Sequence, residues 1–399
     1  MQRINDFISQ LDRYILQKEA FDTKNIALLG GLSGIIYYCF SSNNPELKDK
    51  GYTLLEDLIE QISTKTISEY PYANGICGVL YLLNYLKETG YIEDDIESFI
   101  APIENYIVEH IVPRDYQIDN KDFLYGLYGY LHYFVSKSVS MRNQRILEQL
   151  LKQLTTMALK TGNAIYYSNN NYNRESIPTF SGDEQKVAEH KAINFGLAHG
   201  NVAIGLIFLD VIEKYPFLNT CLTEQIEGLA NLYVRNFKKD DHGEGNTLFP
   251  VFMIEEKDYK IFNSIPLAWC YGDLSVAIFL YRASQLVGNK EYEDLAMQTA
   301  EQHLCTVDFN ENIDAYFCHG YAGFASQYES LHKLTGKAVF SLQKERWADK
   351  ILIAVEKERD RKENQQLFFE ESLDLLNGAL SIGLLFNSES QNWKKIFLN

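Results

Sequence analysis

Four residues of this sequence stand at matching places in a repeating pattern, and their types could do chemistry. His199, Cys270, Cys318 and His319 each lie one or two residues ahead of a glycine, in the strings LAHG, WCYG and CHG. Two thiolates and one imidazole from Cys270, Cys318 and His319 make a good zinc set, and three protein ligands leave the fourth position open, as in a catalytic site. Two thiolates already neutralise the ion. A third thiolate, from a substrate, would bind deprotonated and remain nucleophilic. Such a site suits alkylation of a thiol better than hydrolysis, where His and carboxylate ligands keep the metal acidic. A Cys/His nucleophilic pair is the rival reading.

His199 has the right residue type to give and take protons near neutrality. Asp122, in KDFLYGLYG, stands four residues before Gly126 and reads equally as a functional acid or as a helix cap or first-turn acid. Tyr271 adjoins Cys270 and is a candidate to face the site. Cys39, Cys77, Cys221 and Cys305 read as small buried apolar residues. The other histidines (His110, His132, His190, His242, His303 and His332) lack the repeat position and are given no role.

The elements that must position these residues are announced by the glycines themselves. Gly31, Gly75, Gly126, Gly200, Gly272, Gly320 and Gly378 are each followed, three residues further on, by a second small residue (Gly34, Gly78, Gly129, Ala203, Ser275, Gly323 and Ser381). The spacing runs from 44 residues, between Gly31 and Gly75, to 74, between Gly126 and Gly200. Each motif opens an apolar stretch such as GLSGIIYYCF, which predicts a buried helix. Amphipathic stretches lie between. In GYTLLEDLIEQIST the residues Leu54, Leu55, Leu58, Ile59 and Ile62 fall on one helical face. Seven such units predict an all-α fold, an α/α toroid of seven inner and seven outer helices. A closed ring avoids the exposed ends of a linear solenoid. It would also gather the glycine turns, and the four residues beside them, at one end. The two longest gaps hold irregular segments, NAIYYSNNNYNRESIPTFSGDEQ and KKDDHGEGNTLFPVFMIEEKDYKIFNSIP, which predict short β-hairpin or loop insertions. No flexible linker interrupts the pattern, so residues 1–399 are expected to form a single domain.

Composition narrows the function. A net charge of −17 over 399 residues argues against nucleic acid as a partner. No apolar run is long enough for a transmembrane segment. MQRINDFISQLDRYILQKEA is amphipathic and lacks the apolar core of a signal peptide, so a cytoplasmic location is expected. Six cysteines in such a protein are expected to be free, buried, metal-bound or catalytic rather than paired.

With INFGLAHGNVAIGL, LAWCYGDLSVAIFL and YFCHGYAGFA in this order, and Cys318 lying 48 residues after Cys270, the sequence resembles the lanthionine synthetase C-like family. The glycine repeats extend the resemblance from about Gly31 to Gly383. It implies a stand-alone lanthipeptide cyclase with the toroid fold, zinc on Cys270, Cys318 and His319, and a dehydrated precursor peptide as partner. It also implies a possible association with a lanthipeptide dehydratase and an exporter, and through them with the membrane surface. The implied reaction adds a substrate cysteine thiolate to the β-carbon of dehydroalanine or dehydrobutyrine. His199 would serve as the general acid that protonates the resulting enolate. Asp122 would orient or assist His199, and Tyr271 would line the site. One departure stands out: many relatives carry an arginine where this chain has Pro266, so the stabilisation of enolate charge is unassigned.

Two other classes compete. Relatives of the eukaryotic type, which bind glutathione and add thiols to dehydrated proteins, use the same zinc set. An α/α-barrel enzyme acting on carbohydrate or terpenoid would need a pair of acids, for which Asp122 and Asp273 are the candidates, and would leave Cys270, Cys318 and His319 unexplained.

Overall fold

The computed structural model describes residues 2–64, 67–93, 95–168, 192–238, 247–254, 259–305, 313–362, 365–387 and 391–399. The chain divides into two compact units. One comprises Met1–Asp95 and Ile313–Asn399, and the other Ile96–Asn312.

Each of the seven glycines opens a helix. In the first unit these are Leu32–Ser41, Ile76–Glu88, Tyr321–Thr335 and Ala379–Asn387. In the second they are Leu127–Ser136, Asn201–Lys214 and Asp273–Val287. They are apolar on nearly every side, and all ten residues of Leu32–Ser41 are buried. Each of the first six is followed along the chain by a further helical segment. These segments bury one stripe only. Pro45–Thr64 buries Leu54, Leu55, Leu58 and Ile62, while Ile59 is exposed at the edge of the predicted face. Full burial of such a side chain contributes about 1.5–3 kcal/mol. The seventh glycine-led helix has its partner at the other end of the sequence: Gln2–Gln17 packs against Ala379–Asn387. The residues after Ala379–Asn387 instead form a 3-10 turn, Gln391–Phe397.

A common turn precedes these helices. The N–H of the residue after the glycine donates to the carbonyl six residues before that glycine. The pairs are Leu32 with Asn25 at 2.8 Å, Ile76 with Glu69 at 2.9 Å, Leu127 with Asn120 at 3.0 Å, Asp273 with Pro266 at 2.7 Å, Tyr321 with Asp314 at 3.1 Å and Ala379 with Ser372 at 2.7 Å. In the fourth turn the side chain of Asn201 donates to the Asn194 carbonyl at 2.8 Å. Each of the six backbone closures thus satisfies one of the donors that a helix start leaves without an intrahelical partner. The same closure explains the glycine. At Gly126 the backbone is extended (φ −150°), and an added Cβ would lie 2.5 Å from the Asn120 carbonyl oxygen. Close approach, rather than a left-handed conformation, excludes a side chain there.

Successive turns are also tied to one another within each unit. Leu197 and Ala198 donate to the Cys270 carbonyl, Phe317 and Cys318 to the Leu376 carbonyl, Leu375 to the Leu29 carbonyl, and Leu29 to the Ala73 carbonyl. The seventh turn therefore hands on to the first.

The expected insertions are present as short antiparallel strands in the second unit. Leu159–Thr161 pairs with Ala164–Tyr166 across a tight turn in which Gly162 has φ +58°. Phe252–Ile254 pairs with both Ala192–Asn194 and Tyr259–Ile261. The remainder of the two irregular segments (residues 169–191, 239–246 and 255–258), with His190 and His242, lies outside the described residues, as does the side chain of Cys305. Among the described cysteines, Cys39 and Cys77 are buried as expected. Cys221 is exposed, so the buried apolar reading does not hold for it: it sits on the Asn219–Asn236 helix, outside the apolar stripe of Leu222, Ile226 and Leu229.

Candidate active site and metal-ligand set

In the second unit, strand Ala192–Asn194 runs directly into the turn that ends at Gly200. This turn carries His199, and the hydrogen bonds of Leu197 and Ala198 to the Cys270 carbonyl fix it beside Cys270. The His199 ring, 12% exposed, brings its Nδ1 to within 2.6 Å of Asp122 Oδ2. The other carboxylate oxygen of Asp122 accepts from the backbone N–H groups of Leu124, at 2.7 Å, and Tyr125, at 2.9 Å. Asp122 is thus neither the cap nor a first-turn acid of the Leu127–Ser136 helix, whose N-cap is Gly126; one of its oxygens closes the turn ahead of that helix while the other meets the imidazole.

Burial opposes a charged imidazole at His199. The negative charge and hydrogen bond of Asp122, with Cys270 nearby, outweigh it and raise the His199 pKa above the ordinary histidine value. With Nδ1 facing Asp122, Nε2 is the nitrogen presented elsewhere, which suits a proton donor.

Tyr271 is buried, with its ring centroid 5.9 Å from that of His199 and 5.7 Å from that of Phe252. Its hydroxyl accepts from Asn194 Nδ2 at 3.2 Å. A Cβ on Gly196 would strike the Tyr271 ring, so that glycine lets the ring lie against the His199 turn. Tyr125, 42% exposed, stacks nearly parallel to the His199 ring with centroids 6.0 Å apart. Sequence reasoning missed Tyr125, although it precedes Gly126 just as His199 precedes Gly200.

Asp273 opens the Asp273–Val287 helix, is buried, accepts from the N–H groups of Leu248 and Phe249, and meets His303 Nε2 at 2.7 Å. It anchors the strand-bearing segment and does not pair with Asp122, so the two-acid reading gains no support from these contacts.

In the first unit, Cys318 and His319 precede Gly320. Phe317 is buried beneath them, stacked on Phe397 at 4.0 Å and edge-on to Trp393 at 5.8 Å. His319 is 47% exposed, and its Nε2 lies 3.0 Å from Asp314 Oδ2. Cys270 belongs to the second unit and Cys318 and His319 to the first, and each offers one possible ligand atom, two thiols and one imidazole in all. The donor set fits zinc: two soft sulfurs and one imidazole, with a coordination position left for a further ligand.

The sequence model for lanthionine synthetase C-like proteins matches residues 24–398, and the chain belongs to this family. Among solved structures it is similar to a nisin cyclase, with a TM-score of 0.75 and 18% sequence identity over 100% of this chain and 96% of that one. The likeness shows the fold, the all-α toroid class expected from the glycine repeat. No helix among the described residues is long and apolar enough to cross a membrane.

Proposed function

We propose that this protein is a zinc-dependent lanthipeptide cyclase, which adds precursor-peptide cysteine thiols to dehydroalanine or dehydrobutyrine and so closes thioether rings. The observation that carries the reading is His199, held by Asp122 at 2.6 Å and tied through its turn to Cys270, in a chain of the lanthionine synthetase C-like family. Cys270, Cys318 and His319 would hold the zinc, which when bound supplies a substrate thiolate that is still nucleophilic at neutral pH.

The rest of the reaction falls to this chain's side chains. As the sulfur forms its bond to the β-carbon, the π electron pair of the alkene moves toward the carbonyl. His199 Nε2, having taken up the proton released when the substrate thiol becomes a thiolate, then gives that proton to the α-carbon and so returns to its starting state. Asp122 keeps the ring oriented and charged. Because Pro266 offers no cation, the protonated His199 itself counters the developing negative charge. Tyr271 forms a wall beside the ring. The two compact units would work as one domain, since the family match crosses both of their boundaries. The substrate peptide comes from a dehydratase, so the reading places the protein in the cytoplasm, with contact to a dehydratase or an exporter as part of the same proposal.

The test uses a cysteine-bearing peptide with chemically installed dehydroalanine. Thioether formation is read by mass spectrometry after alkylation of the remaining thiols, beside zinc content by elemental analysis. About one zinc per chain and loss of alkylatable thiols are expected, with both abolished in Cys270→Ala. Peptide thiols left unchanged while glutathione adds to the dehydroalanine would favour the thiol-adding alternative. Wild-type protein that takes up no zinc would overturn the metal assignment.

A further inference from the structure

Asp314 lies six residues before Gly320, at the place that Asn25, Asn120 and Asn194 occupy before Gly31, Gly126 and Gly200. The asparagines show what this place does in the turn. The Asn25 and Asn194 side-chain oxygens accept from the N–H two residues on, at 3.3 and 2.8 Å. Two of the amide nitrogens donate to the carbonyl just before the glycine, Asn25 to Gly30 at 2.8 Å and Asn120 to Tyr125 at 2.9 Å, and that of Asn194 donates to the Tyr271 hydroxyl at 3.2 Å. Asp314 keeps the first contact, its Oδ1 accepting from the Tyr316 N–H at 2.8 Å. The second is inverted. Where the amides donate, Asp314 Oδ2 can only accept, and it faces His319 Nε2 at 3.0 Å.

We infer that Asp314 is a positioning residue that fixes the His319 tautomer, holding the proton on Nε2 so that Nδ1 is the nitrogen offered to a metal ion. This rests on the zinc reading above. The chemistry is that of an imidazole whose other ring nitrogen donates to a carboxylate, which sets the ring's orientation and raises its basicity as a ligand. An asparagine at position 314 would preserve the turn, as it does in three other repeats. Its amide nitrogen would donate to Nε2, however, and drive the proton onto Nδ1, the nitrogen that must be bare to ligate.

The experiment measures zinc affinity of the purified full-length protein by competition with a chromophoric chelator, for wild type, Asp314→Asn, Asp314→Ala and Cys270→Ala. Melting of the metal-free proteins is followed by circular dichroism. Asp314→Asn is expected to melt like wild type, yet to bind zinc about 10–100-fold more weakly, the usual loss when such an outer partner is removed. Asp314→Ala should lose the turn contact as well, and melt earlier. Wild-type affinity in Asp314→Asn would overturn the inference while leaving the zinc site intact. An affinity that is unchanged even in Cys270→Ala would instead sink the zinc reading.

Discussion

Two histidines stand at the same place in their repeats, each just before the glycine that opens a buried helix, and the protein treats them in opposite ways. His199 is 12% exposed and is held through Nδ1 by Asp122 at 2.6 Å. His319 is 47% exposed and is held through Nε2 by Asp314 at 3.0 Å. Each carboxylate comes from a different place relative to its histidine: Asp314 from the same turn, Asp122 from the preceding repeat. Position in the repeat therefore delivers an imidazole, and the partner acid decides which nitrogen works. A ring held at Nδ1 and enclosed is suited to carrying a proton. A ring held at Nε2 and left open is suited to binding a metal.

The strongest way to break this contrast is His199→Asn. Ring closure is expected to fall by about 10²–10⁴-fold, the range for loss of a general acid, with zinc content unchanged. Zinc loss in that variant would show that the two histidines do not divide the labour. Asp122→Asn sharpens the comparison with a smaller effect, about 10–100-fold, the scale on which an orienting partner acts. The sign of its pH dependence follows from the raised pKa of His199. The acid form persists to higher pH while Asp122 is present. Without that charge, the alkaline limb of the rate profile should move to lower pH. A profile displaced upward, or not at all, would remove Asp122 from its assigned part. Tyr271→Phe removes only the hydroxyl that accepts from Asn194. Its expected effect is less than about tenfold in rate, matching a loss of about 1 kcal/mol for one neutral hydrogen bond. A larger drop, read in the same peptide assay, would give the phenol a part in proton transfer.

How much of this was legible in the sequence depended on whether the signal was local. The seven glycines located the start of every buried helix because each marks a turn in which a backbone carbonyl passes too close for a side chain. The partner of the last helix was not legible. Gln2–Gln17 is amphipathic like any surface helix, and nothing in its residues tells that it packs against Ala379–Asn387. The insertions could be read only as hairpins or loops, since strands of three residues are too short to show a period of two. Within the site, the shared position picked out His199, Cys270, Cys318 and His319. The contact of Asp122 with His199 spans 77 residues and came from family resemblance rather than spacing. Asp314 was overlooked although its signal was present: an acid where three other turns carry asparagine.

The recurring turn has a consequence for how such a protein can change. Its closure uses a glycine, backbone atoms and side chains six residues before the glycine or, in the fourth turn, just after it, so the side chain of the residue immediately before the glycine is not needed for it. That place holds Gly30, Asn74, Tyr125, His199, Tyr271, His319 and Asn377 in the seven repeats. It behaves as a socket: new chemistry can be plugged in one residue at a time, while the scaffold that presents it stays as it was.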